Sequence, residues 1–156
     1  MAKQLTVKEV LKQAIEKEIE SQRLYSDLGR MMTSPIAEDT FRDMVQQEKG
    51  HQMLLERYLR GELHKGALRT EQEIDYKITE NFEATEITPD MELKDIFLHA
   101  ANREKVAHDS YIALSKAHPA GEVKKLLEDL AAQELEHKHR LEYLFTEVAF
   151  PQTAGG

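Results

Sequence analysis

Apolar residues recur three or four positions apart over four long stretches of the chain, the spacing that lines one face of an α-helix. The first stretch runs from about Thr6 to Met32 and aligns Val7, Val10, Leu11, Ala14, Ile15, Tyr25 and Leu28. The second, from about Pro35 to Arg60, aligns Phe41, Met44, Val45, Leu55, Tyr58 and Leu59. Ser34 before Pro35 reads as an N-cap followed by the first helical position, and Gly61 reads as the stop. The third follows Thr88-Pro89-Asp90 and aligns Leu93, Ile96, Phe97, Ala100, Ala101, Tyr111 and Leu114 before it ends near His118-Pro119. The fourth, about Gly121 to Val148, aligns Val123, Leu126, Leu127, Leu130, Leu141, Leu144 and Phe145. Every stripe is broken on its own apolar face by polar residues: Glu18, then Glu48 with His51, then Glu104, then Glu134 with His137.

The breaks repeat. Shifting the chain by 86 positions pairs Glu18 with Glu104, Tyr25 with Tyr111, Leu28 with Leu114, Glu48 with Glu134, His51 with His137, Leu55 with Leu141 and Glu56 with Glu142. Lys8, Ala14, Asp43 and Gln47 find identical partners as well, which makes 11 identities over positions 5 to 57. Composition alone would give about three or four, so the chain reads as two copies of a helix hairpin. The hairpins also set heights. Glu18 lies about 16 residues before the turn at Thr33-Ser34-Pro35, and Glu48 and His51 lie about 14 to 17 after it. In an antiparallel pair those residues meet at one level. Glu104 and the pair Glu134 and His137 are spaced in the same way about His118-Pro119-Ala120-Gly121.

The segment from Glu62 to Pro89, about 28 residues, is polar and far longer than the connections of two to eight residues usual in bundles. Extended, it reaches roughly 90 Å, enough to run the length of a helix of about 40 Å and to leave helices two and three parallel. Within it Glu73-Ile74-Asp75-Tyr76-Lys77-Ile78 carries an ambiguous short pattern. The expected fold is all-α: one four-helix bundle over residues 1–148 with a crossover at about 62–89. The tail 149–156 has nothing to bury and is expected to be disordered.

Composition narrows the chemistry. With 156 residues and 40% hydrophobic side chains the chain makes about one domain, and 6% aromatics with few Gly and Pro argue against an all-β fold. The formal charge of −8 repels phosphate backbones and anionic lipid, so neither nucleic acid nor a membrane is an expected partner. Zero cysteines exclude disulfides, thiolate metal sites and cysteine nucleophiles, so any metal must be held by His and carboxylate. No signal-type apolar segment opens the chain and no run approaches the ~18 apolar residues of a membrane span, which gives the expectation of a soluble, cytoplasmic protein.

Four inward carboxylates and two inward imidazoles at one level would be a defect without a cation, since each buried uncompensated charge costs several kcal/mol. Two divalent ions match the four carboxylate charges. Glu and His at i and i+3 share a helix face, so each Glu-x-x-His can give an imidazole to one metal while its carboxylate bridges both. The motif is weak singly, and the chain has a third copy in Glu136 with His139. That copy points away from the stripe, and a register using Glu20 in place of Glu18 breaks the shift of 86.

With these residues in place the chain resembles the ferritin-like superfamily, and within it the rubrerythrin family: Glu on helix one, Glu-x-x-His on helix two, Glu on helix three and Glu-x-x-His on helix four. The general inventory is that of di-iron carboxylate bundles. The resemblance covers nearly the whole chain and implies a di-iron centre held by Glu18, Glu48, His51, Glu104, Glu134 and His137. It makes Tyr25 and Tyr111 hydrogen-bond donors to ligand carboxylates, with core aromatics as the other reading. Two departures stand out. Rubrerythrins proper carry a rubredoxin-like domain with four cysteines, absent here, so electrons must come from an external donor such as a rubredoxin-like protein. They also have an extra carboxylate on helix three, where this chain has Ala107 and His108. His108 falls on the core side, as a seventh ligand, a proton donor or a hydrogen-bonded imidazole. His64, His99, His118 and His139 read as solvated.

The implied function is a di-iron oxidoreductase that reduces hydrogen peroxide or dioxygen, with two iron ions as cofactor and manganese or zinc as other candidates. A homodimer is implied by the resemblance alone. The alternatives are a ferroxidase or iron-handling protein and, third, a structural metal-binding bundle.

Overall fold

The computed structural model describes residues 5–74, 88 and 90–149. Four long helices dominate it: α1 (Val7–Met31), α2 (Pro35–Leu59), α3 (Leu93–Lys116) and α4 (Glu122–Ala149). The predicted bounds differ from these by a few residues at most. A two-residue strand β1 (Leu5–Thr6) precedes α1, and a second, β2 (Glu73–Ile74), follows α2; they pair antiparallel with Leu5 opposite Ile74. The ambiguous pattern at 73–78 thus begins as a strand, and its remainder, with much of the crossover and the tail from 150, lies outside the described residues. No described helix is long and apolar enough to cross a membrane. The chain forms two compact units, Met1–Tyr76 with His118–Lys124, and Lys77–Ala117 with Lys125–Gly156.

In the first unit α1 and α2 form an antiparallel hairpin. Thr6 caps α1 by accepting the Glu9 N–H at 3.1 Å on its hydroxyl. Pro35 opens α2 at a position where its missing N–H costs nothing, as expected. Ser34 is extended, but its contribution differs from a side-chain cap: its carbonyl takes the Glu38 N–H at 3.0 Å, and its hydroxyl makes no capping bond. Gly61 ends α2 as the sequence predicts. Its φ of 77° lies in the left-handed region, where the Gly61 N–H reaches the Tyr58 carbonyl and the Glu62 N–H reaches the Arg57 carbonyl.

The buried face of α1 comprises Val7, Val10, Leu11, Glu18, Ser21, Tyr25 and Leu28; that of α2 comprises Ala37, Phe41, Met44, Val45, Glu48, His51, Leu55 and Tyr58. Tyr25 packs on Phe41 with ring centroids 6.0 Å apart. The same stripes that supply the core carry the carboxylates and imidazole into it, one heptad from Leu11 and Tyr25. Past Gly61 the chain returns to cover two helix starts. The Val7 and Lys8 N–H groups donate to the Gln72 and Thr70 carbonyls at 2.8 and 2.9 Å, and the Val123 N–H at the start of α4 donates to the Lys65 carbonyl at 3.1 Å. These are first-turn N–H groups that have no acceptor within their own helix.

His118 corrects the sequence reading. Expected in solvent, it is 4% exposed, and its Nε2 lies 2.6 Å from the Tyr58 hydroxyl, edge-on to that ring. The hydroxyl also accepts the Leu68 N–H at 2.9 Å. Gly66, with φ 78°, lies against the Gly121 backbone beside this contact: a Cβ there would sit 3.6 Å from the Gly121 Cα.

In the second unit α3 and α4 run antiparallel. The buried face of α3 includes Ile96, Phe97, Ala100, Ala101, Glu104, Tyr111 and Leu114, and that of α4 includes Leu127, Leu130, Ala131, Glu134, His137, Leu141 and Leu144. Polar and apolar positions alternate along these faces as in the first unit, so the sequence repeat is a structural repeat of the hairpin. Outer faces carry helical ion pairs such as Lys138 with Glu142 and Arg140 with Glu136, both at 2.8 Å.

Candidate metal-binding triads

Each hairpin gathers three of the predicted residues. In the first unit Glu18 from α1 meets Glu48 and His51 from α2, and each offers a donor atom within 4.8 Å of the others'. The His51 Nδ1 lies 3.5 Å from Glu18 Oε2 and 3.8 Å from Glu48 Oε1. In the second unit Glu104 from α3 meets Glu134 and His137 from α4, their donor atoms again within 4.8 Å of one another. The His137 Nδ1 lies 3.7 Å from Glu104 Oε1 and 4.0 Å from Glu134 Oε2. All six residues are at most 3% exposed. The same ring nitrogen faces the same pair of carboxylates in both halves.

Helix periodicity produces this arrangement without special backbone. Glu48 and His51, like Glu134 and His137, are three apart and so project from one face. The antiparallel register places Glu18 and Glu104, each in the fourth turn of the preceding helix, opposite them. The residues rejected on pattern lie outside: Glu20 is exposed and pairs with Lys17 at 3.3 Å, and Glu136 is exposed on Arg140. His139 is exposed too.

The donor set fits a metal. Hydrogen-bonded N and O atoms sit at about 2.7–3.2 Å, whereas the imidazole-to-carboxylate separations here are 3.5 to 4.0 Å. Two donors that share a cation at about 2.1 Å are held roughly 3–4 Å apart, a spacing set by the metal's own radius. Two carboxylates within a few ångströms, both removed from water, also need positive charge nearby. Carboxylate with imidazole is a set accepted by iron, manganese and zinc.

Tyr25 and Tyr111 are both buried, each seven residues past the Glu of its own helix, with Tyr25 against Phe41. His108 is half-buried one turn past Glu104, and its Nδ1 lies 2.8 Å from the Ala131 carbonyl on α4. Of the buried polar residues, His118 was missed by sequence reasoning. Its one local signal is the proline that follows it, which marks a turn and says nothing about Tyr58.

No family model and no curated protein sequence matches the chain. A solved structure does: a crystal structure from Thermotoga maritima, described as that of a candidate ferritin-like diiron-carboxylate protein, superposes with a TM-score of 0.74 at 20% identity. The match covers 95% of this chain and 99% of that one. The chain therefore has the fold of a ferritin-like helical bundle.

Proposed function

We propose that the two triads together hold a pair of iron ions and that the protein is a di-iron oxidoreductase, reducing hydrogen peroxide, or dioxygen, with electrons from an external donor. The observation that carries this reading is the duplication: the same Glu, Glu and His, buried in the same mutual geometry, in both hairpins. A structural metal site needs one such set. Two sets with four carboxylates match the charge of two divalent ions. The likeness to a ferritin-like fold supports the reading.

A bound iron pair supplies two electrons to an O–O bond through its ferrous–ferric couple. The remaining work belongs to the chain. Glu18, Glu48 and His51 of the first hairpin and Glu104, Glu134 and His137 of the second would hold the ions, each Glu-x-x-His presenting its carboxylate and imidazole from one helix face. Leu11, Leu130 and Leu141, buried above and below on the same stripes, keep bulk water from the carboxylates. Tyr25 and Tyr111 are assigned as phenol donors that orient ligand carboxylates, because long helical side chains lean back toward the N-terminus, here toward Glu18 and Glu104. The proposed electron donor is a rubredoxin-like protein or a small reductant, since these 156 residues hold no cysteine with which to bind a relay iron. A homodimer is the proposed assembly.

The test is anaerobic loading with ferrous ion, counting iron per chain, followed by stopped-flow mixing with peroxide and separately with dioxygen. Two irons per chain, oxidised faster by peroxide and re-reduced by an added donor through many turnovers, is the expected result. Faster oxidation by dioxygen with release of ferric ion would replace this reading with a ferroxidase, and a tightly held, unreactive zinc pair would replace it with a structural site.

A further inference from the structure

The two hairpins are close copies at the triads and differ one helical turn away. Four residues past Glu18, Gln22 donates through Nε2 to Gln52 Oε1 at 2.8 Å, and this amide clasp joins α1 to α2 beside the first triad. The shift of 86 puts His108 in the place of Gln22 and Lys138 in the place of Gln52. Lys138 turns to Glu142 at 2.8 Å, and His108 turns to the backbone of α4, its Nδ1 2.8 Å from the Ala131 carbonyl. A carbonyl only accepts, so Nδ1 carries the hydrogen and Nε2 holds the lone pair. The first half thus closes this position with groups that do not titrate in water. The second half fills it with a half-buried imidazole of fixed tautomer, between the two helices that carry Glu104 and Glu134.

We infer that His108 is the proton-relay residue of the second triad. The inference rests on the peroxide-reducing function proposed above. Conversion of one hydrogen peroxide to two waters breaks the O–O bond, takes two electrons from the reduced metal pair and adds two protons. Those protons must pass a shell in which every ligand carboxylate is at most 3% exposed. Nε2 of His108 takes them from solvent and passes them inward, and bulk water reprotonates it. The Ala131 carbonyl holds the ring in place as Nε2 gains and loses its proton.

The test compares wild type with His108→Gln, which installs the residue that the first hairpin uses at this place, and with Gln22→Ala as a control beside the other triad. His108→Gln is expected to bind two irons per chain, to oxidise them with peroxide at least about tenfold more slowly, and to regain rate when free imidazole is added. Gln22→Ala is expected to stay within about twofold of wild type, since an amide relays no proton. Nitrogen NMR of the metal-free protein is expected to show His108 as the Nδ1–H tautomer. A wild-type rate in His108→Gln, a slowed rate that imidazole does not restore, or an Nε2–H tautomer would each overturn the relay. If wild type itself binds no iron pair or leaves peroxide intact, the proposed function fails and the relay with it, an outcome separable because it needs no variant.

Discussion

The imidazole Nδ1 of His51 lies 3.5 Å from Oε2 of Glu18, across the interface of α1 and α2 and with both side chains sealed from solvent. This pair fixes the register of the hairpin at a level where apolar residues would pack more cheaply. Polar groups persist in a core position when a ligand makes up for their desolvation. The Glu104 and His137 pair, at 3.7 Å, repeats the arrangement, which argues that both halves keep it for the same ligand chemistry.

Removing one ligand from either half should therefore cost metal. Glu48→Ala and His137→Ala are each expected to bind fewer than two ions per chain after anaerobic loading and to lose redox turnover. Glu20→Ala and Glu136→Ala, on the outer faces of α1 and α4, are expected to bind two. Metal-to-protein ratios measured by mass spectrometry after desalting decide the matter: two retained ions in both ligand variants would remove the triads as the site.

The metal-free protein holds the carboxylates of each triad within 4.8 Å of one another. Two such charges repel by at least about 3.5 kcal/mol at an effective dielectric constant near 20. Glu48→Gln removes one charge and keeps the shape, so the metal-free variant is expected to melt several degrees above metal-free wild type. Adding manganous or ferrous ion should reverse the order, because wild type gains binding free energy that the variant lacks. Thermal melts with and without metal test both halves of the statement. A variant that is less stable than wild type without metal would show that Glu48 serves the fold rather than a ligand.

Gly61 carries the end of α2 in a left-handed conformation that L side chains resist, and nothing lies within 4 Å of where its Cβ would be. Gly61→Ala is thus expected to lose about 1 kcal/mol from backbone strain alone, with no clash to relieve. Urea unfolding should show a lower midpoint with an unchanged slope. Metal binding is expected to survive, since Gly61 lies almost three turns past His51.

The sequence made the helices and the triads legible because both follow one period. Val7, Val10, Leu11, Glu18, Tyr25 and Leu28 belong to a single stripe, and a Glu within it is conspicuous against its neighbours. The 86-residue shift then separated Glu48 and Glu134 from Glu136. What escaped was non-local. Leu5 pairs with Ile74 through backbone bonds that have no sequence period, and a two-residue ladder is too short to show alternation. His118 is buried by a partner 60 positions away, so its surroundings in the chain describe a turn and not a core. The Ser34 carbonyl, rather than its hydroxyl, bonds at the start of α2, a choice between two acceptors on one residue that composition does not reveal.

Tyr58→Phe tests that long-range contact. The variant leaves the buried His118 Nε2 and the Leu68 N–H without the oxygen that lies 2.6 and 2.9 Å from them, so it is expected to cost about 1–3 kcal/mol. The loss has a definite pH dependence. Burial pushes the Tyr58 phenol above its ordinary pKa, and the Leu68 N–H bond offsets part of that rise. A phenol with a folded pKa above its unfolded value of about 10 stabilises the fold fully below pH 10, and this contribution is lost as the pH rises through the folded value. The stability gap between wild type and Tyr58→Phe should hold steady from pH 7 to about pH 10 and narrow above it, because only wild type must then ionise a buried phenol. Denaturant unfolding of both proteins across that range measures the gap directly. A gap that widens with pH would mean that Tyr58 is more acidic in the fold than in the unfolded chain, and that His118 and Leu68 stabilise its anion.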